Sequence, residues 1–294
     1  MIHIGIAGWT HVSLHGKGGF YPQGILPGDR LNHYGKAFSI VEAASTFFEI
    51  PSADKVQLWV ERSPAELVFH FQAPAMLMGY PVAPKSLPGI IARELGRDML
   101  DSGQIKSFPR EVTEMAFDMF IASLRPVRDA GKMGAVIYRF PAWFAPVRES
   151  YAYLDMVYEK TWGLCSAVEF QHAGWLIQPG MGQAIAFLKQ RKMAFIASDS
   201  HNIRGFQGPG ALTAPFAYVR FGGRKKGQRF LYSQRDLTPW VYRVLRADSK
   251  VKDVYVLFAS RQGMDSVLNA RLFRTMLKME GGEGSVKSQR QAVD

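Results

Sequence analysis

Four short runs in this chain share one form, an apolar stretch closed by an ionisable residue. Ser39-Ile-Val-Glu42 and Ser166-Ala-Val-Glu169 end in carboxylates, while Val136-Ile-Tyr-Arg139 and Ala217-Tyr-Val-Arg220 end in guanidiniums. Further runs lead into Gln72, into Ser198-Asp199 and into Ser260-Arg261. β-Branched and aromatic residues before the charge suit strands. Side chains alternate along a strand, so Ile40 and Glu42 share a facing, as do Ile137 and Arg139, Ala167 and Glu169, and Tyr218 and Arg220. Carboxylates supply general acid–base chemistry, and arginines beside them hold anions or stabilise developing negative charge. Glu169, Glu42, Asp199 and Arg139 are therefore the candidate catalytic residues. Structural ion pairs without chemistry would produce the same pattern. Two carboxylates of unknown separation do not make a glycosidase.

A second feature is electrostatic. Arg220-Phe-Gly-Gly-Arg-Lys-Lys-Gly-Gln-Arg229 holds five cations in ten residues, and no acid occurs between Asp199 and Asp236. Glycines let the backbone turn tightly and present N–H groups to an anion. Arg220, Gly222, Gly223, Arg224 and Lys225 are thus candidates for holding phosphate, with Trp9, His172 and Trp175 as candidate substrate contacts. Solvated loop-tip charge is the plainer reading of the lysines. Phe221, Phe230 and Tyr232 interleave with the cations, as base-stacking residues do, or as core anchors do. Glu169-Phe-Gln-His172 and Asp199-Ser-His201 raise a metal question, but the first spacing lies at a strand end rather than on a helix, so the helical di-metal pattern does not apply. No metal and no cofactor are assigned. His11 and His15 read as loop residues, and His70, between Phe69 and Phe71, as a core histidine.

The elements that must position these residues are legible as strand-like runs alternating with helical stretches. The runs are 2–7, 38–43, 67–72, 134–140, 166–170, 193–198, 216–221 and 254–258. Helical pattern covers 29–37, 53–62, 111–131, 148–162, 181–191, 234–247 and 265–280, with Asp29, Ser52 and Ser233 as start signals. Strand–helix alternation over the whole length implies a parallel sheet. Eight units in a chain of 294 residues predict a single-domain α/β fold, a (β/α)8 TIM barrel, over 1–280. An open doubly wound sheet would want a third glycine after the first strand, which Gly5-Ile-Ala-Gly8-Trp-Thr lacks. Residues 73–110, after strand 3, form an extended loop predicted to be a lid with one short helix near 88–100, burying little apolar surface of its own. The Gly/Pro-rich stretch 200–215 leaves the sixth helix short or missing, and 281–294 reads as a flexible tail.

Composition narrows the class. Hydrophobic residues make up 47% and charged residues 21%, which excludes a largely disordered chain. A single cysteine, Cys165, excludes an intrachain disulfide framework. No apolar run reaches the ~18 residues of a membrane span, and the opening MIHIGIAGWT lacks the pattern of a signal peptide. A cytoplasmic protein without a membrane partner is expected. The net charge of +11 favours a phosphorylated small molecule or nucleic acid as partner.

In order along the chain, Gly5-Ile-Ala-Gly-Trp9, Phe20-Tyr-Pro22, Val41-Glu-Ala-Ala-Ser-Thr-Phe-Phe-Glu-Ile-Pro51-Ser, Trp59-Val-Glu-Arg-Ser-Pro64, Ala167-Val-Glu-Phe-Gln-His172-Ala-Gly-Trp175, Tyr218-Val-Arg-Phe-Gly-Gly223 and Asn269-Ala270 resemble the YecE-like family, domain of unknown function 72. The resemblance spans about 2–278 and implies a TIM barrel, but no reaction. The family pattern is kept at Glu42, Glu169, His172, Trp175, Asp199 and Arg220. It has Asn, Tyr and Arg where this chain has Ala44, Phe48 and Glu49. It has Lys, Gln, Arg and His at Gln72, Arg139, Gln171 and Gly222, and Phe-Asn-Asn at Phe258-Ala-Ser260. Arg139 standing in for the cation absent at Gln72, or a change of substrate, would account for these exchanges. The expectation is an enzyme acting on a phosphate-bearing substrate, a hydrolase or other phosphate-ester-acting barrel, with nucleic acid or nucleotide ahead of sugar phosphate. A non-catalytic nucleic-acid-binding barrel and a protein-interaction scaffold are the alternatives.

Overall fold

The computed structural model describes residues 1–201, 211–227, 229–260 and 262–281. Most of the Gly/Pro-rich stretch, Gln228, Arg261 and nearly all of the predicted tail lie outside the described residues. Nine parallel strands form one sheet: β1 (Ile2–Ala7), β2 (Ile40–Ala43), β3 (Val68–Gln72), β4 (Met133–Phe140), β5 (Cys165–Phe170), β6 (Ala194–Phe195), β7 (Ala197–Ser200), β8 (Phe216–Gly223) and β9 (Asp253–Phe258). Their order is β6-β5-β4-β3-β2-β1-β9-β8-β7. The two ends of that order, β6 and β7, are separated in the chain by Ile196 alone, so the sheet wraps round into a TIM-like barrel.

The ninth strand departs from the predicted eight for a local reason. β6 bonds to β5 and β7 bonds to β8, so the predicted sixth strand divides its loyalties at Ile196. The Ile196 N–H still donates to Val168 O at 2.8 Å, which keeps the two pieces in line.

Alternation sorts the side chains into two cores. Ile40, Ile137, Ala167, Tyr218 and Leu257 pack together inside the barrel, while Ile4, Val41, Phe71, Val168 and Val256 pack outward against the helices. The predicted common facing follows: each of Glu42, Arg139, Glu169 and Arg220 stands two residues beyond an inner-core residue, one layer nearer the C-terminal mouth. Gly5 is required on the inner wall, because a Cβ there would lie 2.0 Å from Ile40 O on the neighbouring strand.

The helices start where the capping residues predict. The Ser52 hydroxyl accepts from Lys55 N–H, and Ser233 and Asp236 form a reciprocal capping box at the helix Gln234–Asp248. The predicted helix 111–131 is two, Arg110–Ser123 and Arg125–Asp129, with Pro126 in the first turn of the second.

The segment after β3 departs further from expectation. It carries two short helices rather than one, Gly89–Arg93 and Arg97–Leu100, and an antiparallel bridge between Val82 and Ile105. It also buries Met76, Leu77, Met78, Ile91, Leu95 and Ile105, so it has an apolar core of its own and is packed rather than loose. Proline count alone conveyed none of this, since the burying residues follow no helical or strand period.

Candidate functional site

The mouth residues come from four strands, and register decides who meets whom. Arg139 on β4 is the direct cross-strand partner of Glu169 on β5, and Arg220 on β8 pairs in register with Ser198 on β7. Arg139 Nε donates to Glu169 Oε2 at 2.8 Å. Arg220 reaches across the mouth: its Nη2 donates to Glu42 Oε1 at 3.0 Å and its Nε to Glu42 Oε2 at 3.3 Å. Its Nη1 lies 3.8 Å from Glu169 Oε2. The four side chains thus form one chain of alternating charge, Glu42, Arg220, Glu169, Arg139.

Exposure separates the members. The Glu42 and Glu169 side chains are buried and Arg220 nearly so, whereas 24% of the Arg139 side chain meets solvent. Burial alone would raise the Glu169 pKa, but Arg139 and then Arg220 outweigh it and hold the carboxyl below its ordinary value. Burial likewise works against the charge on Arg220, and Glu42 and Glu169 more than compensate, so its pKa is raised. Glu169 is therefore an ionised carboxylate at neutral pH.

Asp199 and Arg224 form a second group at the same end of the barrel. Arg224 grips Asp199 in a fork, Nε to Oδ1 at 2.9 Å and Nη2 to Oδ2 at 2.7 Å, and its Nη1 donates to Asp236 Oδ1 at 2.6 Å. The Tyr232 hydroxyl adds a bond to Asp199 Oδ1 at 3.3 Å. The Gly223 N–H, at φ +81°, donates to Tyr232 Oη at 3.1 Å. Phe221 and Phe230 each pack edge-on against Tyr232, as anchors of the loop rather than as an open stacking surface. Arg229 is paired with the buried Asp265. Lys225 and Lys226 are exposed and have no ion pair among the described residues.

The other candidates lie apart from the charge chain. His172 caps the turn Ala173–Trp175, its Nδ1 accepting from Gly174 N–H at 2.9 Å. Trp175 is fully buried, stacked on Phe170 with centroids 4.2 Å apart. Trp9 is buried edge-on against Trp59, behind the turn at Gly8 whose N–H donates to Glu42 O. Gly222 is half-buried beside Ser200. Among the described residues no three His, Cys, Asp or Glu side chains converge as a metal-binding group.

Sequence reasoning missed Tyr80. It comes from the segment after β3, receives a hydrogen bond from Gln171 Nε2 at 3.1 Å, and faces Arg139, Glu169 and Arg220. Burial raises its pKa, so it stands over the mouth as a neutral phenol. Gln171 was noted only as a departure from the family pattern. No local signal marks an aromatic residue in an irregular segment as part of a distant mouth.

Comparison with known proteins agrees with this architecture. The family model described as "Protein of unknown function DUF72" matches residues 3–292. The chain belongs to the DUF72 family. This DUF72 chain is 27% identical over 299 residues to UPF0759 protein YunF of Bacillus subtilis (strain 168), covering 95% of this chain and 96% of that protein. It also resembles two solved DUF72 structures. One, from Thermotoga maritima MSB8, has TM-score 0.74 at 22% identity and covers 95% of this chain and 99% of that one. The other, from Enterococcus faecalis V583, has TM-score 0.72 at 20% identity, covering 95% and 98%. The structural likeness carries the barrel, and none of the three descriptions states an activity. No helix among the described residues is long and apolar enough to cross a membrane.

Proposed function

We propose that the barrel mouth is an active site for a phosphate-bearing substrate, nucleic acid or nucleotide ahead of sugar phosphate, with Arg139 as anion receptor and Glu169 as general base. The observation that carries this reading is the asymmetry of one ion pair. Arg139 makes a single side-chain bond, through Nε, and its two terminal nitrogens have no acceptor among the described residues. A guanidinium with a free edge at a solvent-facing mouth suits a phosphate oxygen pair. Glu169 is ionised and held by two arginines, and the ionised state is what a base needs before it takes a proton. A substrate anion that draws Arg139 away removes the larger of the two cationic influences on Glu169, so its basicity rises as substrate binds.

Glu42 and Asp199 then have positioning parts. Glu42 holds the Arg220 fork, and Asp199 holds Arg224. Tyr80 covers the pair from the side of the segment after β3.

A non-catalytic nucleic-acid-binding barrel is the second reading, favoured by Lys225 and Lys226, which stand exposed together beyond the end of β8. One set of variants separates the two. With a panel of phosphomonoesters, nucleotides and labelled oligonucleotides, Glu169→Gln abolishes turnover and leaves affinity within about twofold, whereas Arg139→Ala weakens affinity. Turnover undiminished in Glu169→Gln overturns the enzyme reading. Binding of an oligonucleotide without turnover of any member of the panel favours the second.

A further inference from the structure

The barrel wall has one seam. β6 bonds only to β5 and β7 only to β8, so β6 and the first half of β8 have no ladder between them. A side chain substitutes there: Phe195 N–H donates to Thr213 Oγ1 at 2.8 Å, and that hydroxyl donates to Met193 O at 2.7 Å. The stretch between β7 and β8, where the sequence predicts a short or missing helix, lies mostly outside the described residues.

Beside the seam lies a cavity of about 360 Å³, at the flank of the barrel and away from the charge chain of the mouth. Its walls are apolar, with Phe195, Leu212, Val219, Val244 and Ala247 among them, and Trp240 closes it on the side of helix Gln234–Asp248. This volume falls in the range of small-molecule sites. Exposed Arg243, Arg246 and Lys250 stand at its rim, and no acid is among the described lining residues.

We infer that this cavity binds a small molecule with an apolar body and one carboxylate. The apolar walls take the body, and Arg246 and Lys250 take the charge at the rim. A phosphate is the poorer fit, because a dianion asks for several converging donors, and the walls offer hydrocarbon.

The test uses decanoate, below its micellar concentration, against decanol, with the full chain and isothermal titration. Decanoate binds, and decanol binds at least tenfold more weakly. Arg246→Glu with Lys250→Glu weakens decanoate at least tenfold and leaves decanol unchanged. Ala247→Trp, which fills the cavity, abolishes both. Should Ala247→Trp not fold, the rim double variant still decides, since both of its residues are on the surface. No decanoate binding, equal affinity for decanol, or rim variants without effect overturns the assignment.

Discussion

Arg139 and Glu169 face each other directly across β4 and β5, bonded at 2.8 Å, one a quarter exposed and the other sealed from water. The pair has a consequence for stability. Glu169 is held below its ordinary value of 4.5 in the fold, whereas in the unfolded chain it titrates near that value. Its contribution is therefore complete above the unfolded pKa and is lost as pH falls through the lower, folded one. Urea unfolding midpoints measured from pH 7 to pH 3 should fall for the native chain below about pH 5. Glu169→Gln should remove part of that fall while leaving the chain less stable at pH 7. A variant with the native chain's full acid sensitivity would show that Glu169 is not the group responsible.

Arg220 serves two buried carboxylates, so its loss strands the Glu42 charge and leaves Glu169 to Arg139 alone. Removing one partner of a buried pair typically costs about 3–5 kcal/mol. Arg220→Met should destabilise the chain by about that amount, read as a shift in urea midpoint at pH 7. Adding Glu42→Gln to Arg220→Met should recover part of the loss, because the stranded charge is then gone. If the double variant is as unstable as the sum of the two singles, the pair is not coupled in the way its geometry indicates.

His70 sits in the inner core, its Nδ1 accepting from Ala135 N–H at 3.2 Å, with the rings of Tyr218 and Tyr255 against it. Burial, with a smaller push from His3, lowers its pKa to about 3. The unfolded chain takes up this proton near pH 6.5, and the folded chain does not until far lower. Stability from His70 is thus complete above pH 6.5 and falls below it, with a limiting slope of about 1.4 kcal/mol per pH unit. Imidazole proton resonances of His70 should stay fixed from pH 7 to pH 4. A titration of that ring near pH 6 would contradict the buried, neutral assignment.

Strand periodicity made the barrel legible, and with it the shared facing of Glu42, Arg139, Glu169 and Arg220, because two-residue alternation is a local property. Pairing was not legible. Arg224 was read as a phosphate ligand from its neighbours in sequence, but the acids that hold it, Asp199 and Asp236, belong to another strand and a helix start. Trp175 was a candidate substrate contact, yet its ring stacks in the outer core on Phe170. Tyr80 was invisible for the opposite reason, since a packed but irregular segment carries it to the mouth. The split at Ile196 depends on which neighbour each piece bonds, and no run of residues encodes that.

The basic loop after β8 offers the sharpest test of a nucleic-acid partner. Its cations are not equivalent: Arg220, Arg224 and Arg229 are each held by acids, whereas Lys225 and Lys226 have no ion pair among the described residues. A duplex phosphate neutralised by a free cation releases counterions and contributes about 0.9 to the slope of log affinity against log salt. Replacing Lys225 and Lys226 by Ala should flatten that slope by about 2 and weaken all sequences alike, because phosphate contacts position without reading bases. Arg224→Ala should change the slope by less than either lysine, since Asp199 and Asp236 already take its guanidinium. Fluorescence anisotropy of a labelled duplex between low and moderate salt reads each slope. An Arg224→Ala effect larger than that of the lysines would mean that the fork to Asp199 opens when nucleic acid binds. A slope unmoved by the double lysine variant would place the contact surface elsewhere and leave the mouth to a small phosphorylated substrate, whose affinity depends on Arg139 and not on Lys225 or Lys226.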